Sequence, residues 1–211
     1  MSPRAPALPP DERRRTIVKA TLPLLRAKGL TVSTAEIARA AGVAEGTLFR
    51  VFETKDDIID AVIEHVMDPD PTIEALARIP AREPLTQRVR RVIELWHARV
   101  AEISVLMAAL HAGGESGHRH PSKSHHQHAD HMNRLNEAVA GVLAPDAHHL
   151  RLGVTETASL LRSLAFASAH PLLSDRLVTD PAILVDLFLH GALAGESDSV
   201  HLQETGPCCS A

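Results

Sequence analysis

Residues 33–52 read Ser-Thr-Ala-Glu-Ile-Ala-Arg-Ala-Ala-Gly-Val-Ala-Glu-Gly-Thr-Leu-Phe-Arg-Val-Phe. Two short amphipathic helical patterns meet in this stretch at Gly42, and Lys55-Asp56-Asp57-Ile58 opens a further helix just beyond it. Ser33 or Thr34 can cap the first helix, because a side-chain oxygen there accepts a bond from a backbone amide that has no partner inside the helix; Glu36 stands near the capping-box position. Ile37, Ala38 and Ala41 face inward, while Glu36 and Arg39 face out. Gly42 stops the helix, since glycine enters the left-handed region without a Cβ clash. Val43 plugs the turn. The second helix is expected over 44–52, with Leu48 and Phe52 one turn apart on its buried side and Glu45, Thr47, Phe49 and Arg50 on the other. The layout is that of a helix-turn-helix, and the free face of its second helix has the size to enter a DNA major groove.

The run Ile37-Ala38-x-Ala40-Ala41-Gly42-Val43-x-x-Gly46-Thr47-Leu48-Phe49-x-x-Phe52-x-x-Lys55 resembles the DNA-binding domain of TetR/AcrR-family transcriptional regulators. The resemblance covers about residues 12–65. Farther along, Leu184-Val185-Asp186-Leu187-Phe188-Leu189-His190-Gly191-Ala192-Leu193 is similar to the last dimerisation helix of many actinobacterial members. The resemblance implies an all-α fold of about nine helices, divided into a helix-turn-helix domain at 1–56 and a helical ligand-binding and dimerisation domain at 57–211 with a flexible tail over about 196–211. It also implies a homodimeric regulator, in particular a repressor, that binds a palindromic double-stranded DNA operator and releases it when a small-molecule effector enters the body. Three positions depart from the family pattern. Phe49 stands where Tyr is frequent, Val51 where His is frequent, and Ala44 where a Ser cap is frequent, so three polar anchors are missing.

The contacts expected at DNA divide into positioning and reading. Lys55, Ser33 and Thr34 sit at helix starts, where charge, hydroxyl and exposed amides can meet phosphate. Arg50 is suited either to a guanine edge or to a phosphate; Glu45 can accept from cytosine N4, and Thr47 can touch a thymine methyl. Ala44, Gly46 and Phe49 complete the surface.

The net charge of −4 conceals an uneven distribution. Residues 1–55 hold ten Lys and Arg against five Asp and Glu, leaving 12 against 21 for the rest of the chain. A head at +5 and a body at −9 fit a protein that meets phosphate at one end only.

Of 211 residues, 45% are hydrophobic, enough for a packed core, and no stretch approaches the roughly 20 apolar residues of a membrane span. The proline-rich N-terminus has no apolar signal core, so a cytoplasmic protein is expected, without a membrane partner. The pattern is helical nearly throughout; a composition with no Tyr, four Phe and one Trp also speaks against a sheet. Helices are expected at 11–28 (with Pro23 inside), from 54 or 55 to 68, briefly at 73–78, and at 85–112, 123–143, 155–170 and 181–193. The 85–112 stripe is Leu85, Val89, Val92, Ile93, Trp96, Val100, Ile103, Met107 and Leu110. The helices at 155–170 and 181–193 are apolar on more than one face, as expected of a dimer interface or of two central helices of a monomer; the family resemblance favours the dimer interface.

The effector pocket is expected to draw on Trp96, Met107, Leu110, His111 and Leu164. Half of the 14 histidines fall in 111–131. Within that segment His125, His128 and His131 repeat a one-turn spacing that could hold zinc or nickel, but no carboxylate or Cys completes a recognised site. A metal-sensing regulator with the same head is therefore the alternative. The two cysteines, Cys208 and Cys209, are adjacent in the polar tail and match no metal-site or lipidation pattern. No nucleophile elbow, glycine-rich phosphate loop or His-Glu-x-x-His sequence occurs, so neither a catalytic residue nor a cofactor is expected.

Overall fold

The structure is a computed structural model that describes residues 9–112, 125–171, 173 and 178–191. Among the described residues there are nine α-helices and no strand: α1 (Pro10–Lys28), α2 (Thr34–Ala40), α3 (Glu45–Leu48), α4 (Lys55–Met67), α5 (Asp70–Ala77), α6 (Leu85–His111), α7 (His125–Leu143), α8 (Val154–Ala169) and α9 (Pro181–His190). Their apolar residues fall into two clusters. One joins Ile17, Val18 and Leu25 of α1 to Ile37, Leu48, Phe52 and the inner face of α4 from Ile58 to Val66. The other joins α6, α7, α8 and α9 through Val89, Val92, Ile93, Trp96, Leu135, Val139, Leu161, Ala165 and Leu184.

α6 belongs to both clusters. Its first four turns present Val89, Val92, Ile93, Trp96 and Val100 to the body, whereas Leu106 is fully buried in the head cluster with Ile103, Met107 and Leu110 packed around it. The expected stripe omits Leu106 because it assumes one partner along the whole helix. Where the partner changes, the buried face rotates. The junction is close: Gly29, at φ +56°, ends α1, and a Cβ there would lie 2.2 Å from the Ala109 carbonyl oxygen. Only glycine combines that dihedral with that approach.

Several boundaries differ from expectation for local reasons. α3 is one turn, not 44–52. After Leu48, Arg50 N and Val51 N bond to i−3 (Thr47 O at 3.3 Å, Leu48 O at 3.0 Å), although Phe52 N returns to Leu48 O at 3.0 Å, so the α-form is interrupted at 50–51. α5 starts at Asp70 rather than 73, because Pro71 fits the first turn, where its missing N–H has no intrahelical role. α9 ends at His190 rather than 193; Gly191 takes φ +92° and donates its N–H to Leu187 O. α1 runs uninterrupted through Pro23, which faces solvent, where water can serve the carbonyl that the proline leaves without a donor. The expected first residues of the helix at 123–143, the tail at 196–211, Cys208 and Cys209 lie outside the described residues.

One buried cation was not foreseen. Arg88 occupies a core position of α6 at 2% exposure and donates to the carbonyls of Glu83 and Val142 and to the Asp146 carboxylate. It fastens the start of α6 to the end of α7. Arg99 has a similar role at the α4–α5 joint, donating to Met67 O at 2.8 Å and Asp68 O at 2.9 Å; burial pushes its guanidinium pKa down. No helix among the described residues is long and apolar enough to cross a membrane.

Candidate nucleic-acid interface

The α2–α3 unit is fixed by local bonds that its sequence dictates. Ser33 caps α2 in a complete capping box: its Oγ accepts from Glu36 N at 3.3 Å, and its own N–H donates to Glu36 Oε2 at 2.9 Å. Lys28 hydrogen-bonds the same carboxylate from the end of α1. The Lys28 bond first, then the two from Ser33, pull the Glu36 pKa from its ordinary 4.5 down to about 2. At the other end of α2, Val43 N donates to Ala38 O at 3.0 Å and Gly42 N to Arg39 O at 3.2 Å, with Gly42 at φ +66°. This paired arrangement is a Schellman turn, and it sets the angle at which α3 leaves.

α3 is anchored from below and open above. Leu48 and Phe52 are buried, with Val43 and Val51 partly so, while Ala44, Glu45, Gly46, Phe49 and Arg50 are exposed and Thr47 is half-buried. Thr34 Oγ1 donates to Glu45 Oε1 at 2.5 Å, which ties the two helices across the turn. Ala44 supplies no side-chain cap. Phe49 is 46% exposed on the upper face of the helix-turn-helix. α4 opens with a second capping box, Thr54 with Asp57. Lys55 is half-buried, and its ammonium donates to Leu30 O at 2.6 Å, leaving two of its three donors for another partner. The nine residues expected at DNA lie at the start of α2, along α3 and the turn after it, and at the start of α4, and none of them is buried. Several of their polar groups are already engaged within the head: the Ser33 and Thr34 hydroxyls, the Glu45 carboxylate, and one donor of Lys55.

The residues expected to form the effector pocket are not gathered. Trp96 is buried in the body cluster, and Leu164 is packed against that cluster; Met107 and Leu110 pack on the head cluster instead. His111 is exposed, and its Nδ1 donates to Met107 O at 2.6 Å, the usual habit of a polar side chain in the last turn of a helix. The separation has the same origin as the misplaced stripe: α6 changes partner between Val100 and Leu106. A polar pair that the pattern did not suggest lies in the body, His97 Nε2 with Ser168 Oγ at 2.9 Å, where burial lowers the imidazole pKa. Among the described residues no three His, Cys, Asp or Glu side chains come together as a metal site. The side chains of His125 and His128 lie outside the described ones; that of His131 is half-buried.

A one-turn helix held by a Schellman turn on a capped helix, at the basic end of a chain whose described residues form helices and no strand, is a helix-turn-helix of the DNA-binding kind. Residues 17–62 match the family model of bacterial regulatory proteins, tetR family. The whole fold is similar to that of solved relatives. A TetR/AcrR-family transcriptional regulator from Thermobifida fusca shares 18% identity over 87% of this chain and all of its own, with a TM-score of 0.60. FadR from Bacillus subtilis, solved in complex with stearoyl-CoA, shares 15% identity over 85% of this chain and 99% of its own (TM-score 0.53). NalD from Pseudomonas aeruginosa, the secondary repressor of the MexAB-OprM multidrug efflux pump, shares 20% identity over 86% and 97%, also with a TM-score of 0.53. Residues 17–62 thus match the tetR-family DNA-binding region, and the chain as a whole shares the fold of these solved regulators.

Proposed function

We propose that the protein is a homodimeric repressor that holds a near-palindromic operator through two heads and releases it when a small molecule binds the body. The observation that carries this reading is the open upper face of α3. Glu45, Gly46, Thr47, Phe49 and Arg50 stand clear of the core on a helix whose exit angle the Schellman turn fixes. Ser33, Thr34, Ala44 and Lys55 flank that face and position it on the backbone, and Arg50 reads or clamps from its end. The functional division follows the sequence, with DNA contacts drawn from 1–56 and effector binding and dimerisation from 57–211.

The second subunit docks on α8 and α9. Leu160 and Phe166 of α8 and Ile183 of α9 are 54%, 42% and 48% exposed, an apolar surface of the kind that a second copy covers. The effector acts by population shift: it binds better to the dimer whose heads are out of step with successive major grooves, and operator affinity falls by that preference. FadR's complex with stearoyl-CoA and NalD's repressor role support a ligand-released repressor as the reading.

The test is selection of duplexes from random DNA by the full chain, followed by fluorescence anisotropy. Arg50→Ala is expected to weaken the selected duplex about 5- to 150-fold, the cost of one lost bidentate contact. Unchanged affinity refutes the role given to Arg50, and failure to enrich any duplex refutes the regulator reading. Leu160→Asp with Ile183→Asp is expected to give a monomer in analytical ultracentrifugation; a persistent dimer moves the interface elsewhere.

A further inference from the structure

We propose that the DNA interface extends beyond the helix-turn-helix onto the N-terminal half of α1, where Arg14 clamps a backbone phosphate beside the recognition helix. This rests on the DNA-binding reading above and assigns a contact to a helix outside the motif.

The geometry comes from a stack. The Arg14 guanidinium lies 4.3 Å from the centroid of the Phe52 ring, at the end of the turn that follows α3. Phe52 is buried at 3% exposure, so the ring is a fixed platform, while Arg14 itself is exposed. A guanidinium attracted to a ring face keeps its N–H donors available for an anionic partner. Arg14 makes no hydrogen bond or ion pair with a described residue. Asp57 is near enough to feel its charge, and its Oδ2 accepts the Thr54 backbone N–H in the capping box. Arg14 therefore presents an exposed guanidinium held over a fixed aromatic platform. Arg13 and Arg15 flank it in a head that carries +5.

The chemistry selects phosphate. A planar fork pairs with two oxygens of one anionic group, and a duplex seated on α3 brings a row of such groups past the turn at Phe52. The motif itself is short of anchors: Ala44, Phe49 and Val51 carry no polar group, and the Ser33 and Thr34 hydroxyls are bound internally. A clamp from α1 supplies what those positions lack.

The experiment compares the full-length protein with Arg14→Gln and Arg14→Lys. Anisotropy is read from 50 to 300 mM KCl on a duplex selected by the wild type and on a scrambled duplex of equal length. With Arg14→Gln the slope of log K against log [KCl] is expected to become shallower by about 0.9 per head, about 1.8 for a two-headed complex, with equal loss on both duplexes. Arg14→Lys keeps the charge and is expected to restore the slope. A residue that merely packs on Phe52 changes affinity and melting temperature without changing the slope. An unchanged slope in folded Arg14→Gln overturns the proposal. Should that variant melt early, Arg14→Met, which keeps an apolar chain over Phe52, is measured below its melting point and judged by the same slope. A wild type that binds no duplex overturns the DNA-binding reading as well, and so is told apart from a wild type that binds with a slope indifferent to Arg14.

Discussion

The head and the body of this chain are built from the same kind of element and held by opposite means. In the head, short helices are set by bonds between residues three to five apart: the Ser33–Glu36 and Thr54–Asp57 capping boxes and the Val43-to-Ala38 bond of the Schellman turn. In the body, long helices are joined by contacts far apart in sequence, such as Arg88 to Asp146 and His97 to Ser168. A surface that must present side chains at a fixed angle to a rigid duplex is best served by local bonds, which hold whatever the rest of the chain does.

The largest expected effect breaks the body. Arg88→Ala leaves the Asp146 carboxylate without its partner and the Val142 carbonyl without a buried donor, at about 3–5 kcal/mol of stability in chemical denaturation. If the two regions are mechanically distinct, the variant that remains folded keeps the spectral signature of the head. Leu106→Ala is next. It empties a fully buried site where α6 enters the head cluster, at about 2–5 kcal/mol. Because Leu106 sits on a body helix, this variant sharpens the comparison: a single cooperative transition means that α6 welds the regions into one unit, while two transitions mean that they unfold apart.

How much of this was readable from sequence follows the same division. Ser33, Gly42, Leu48 and Phe52 each announce themselves through a residue type with a local mechanism, and the structure places them in the corresponding cap, turn and core. The extent of α3 was not readable, because nothing in residues 49–52 marks the change to tighter bonds. In the body, the apolar period gives helices but not partners. Arg88 at a stripe position was the available signal for a buried cation, yet its partner Asp146 lies 58 residues away. The rotation of the α6 stripe toward Leu106 needed knowledge of where the head would dock. That same rotation placed Met107 and Leu110 at the head instead of in a pocket with Trp96.

Gly29→Ala tests the weld at its closest point. The added methyl meets the Ala109 carbonyl at 2.2 Å on a backbone with φ +56°, so α1 or α6 must shift, and a loss of more than about 1 kcal/mol is expected. A melting temperature equal to that of the wild type removes Gly29 from the junction. Ser33→Ala removes one capping oxygen and costs about 1 kcal/mol, confined to the head. Hydrogen exchange is expected to speed at the first amides of α2 and to stay unchanged in α8.

The smallest effect is a pH dependence that belongs to the head alone. Glu36 is held at about 2, below its ordinary 4.5, chiefly by Lys28 and then by Ser33. Asp57 is lowered in the same direction by Thr54. A carboxylate with a depressed pKa in the folded chain stabilises it fully above the unfolded value, and that stabilisation is lost as pH falls through the folded value. For Glu36 the window runs from about 4.5 down to about 2. Both carboxylates are at the surface, so the effect is expected to shrink with salt. Glu36→Gln retains acceptor geometry but cannot titrate, and it is expected to flatten the pH dependence of α2 exchange between pH 5 and 2 while leaving the body's dependence as it was. If the slope in α2 is the same in the variant and the wild type, Glu36 is not what holds that helix start, and the contrast between a locally bonded head and a distantly bonded body loses its sharpest example.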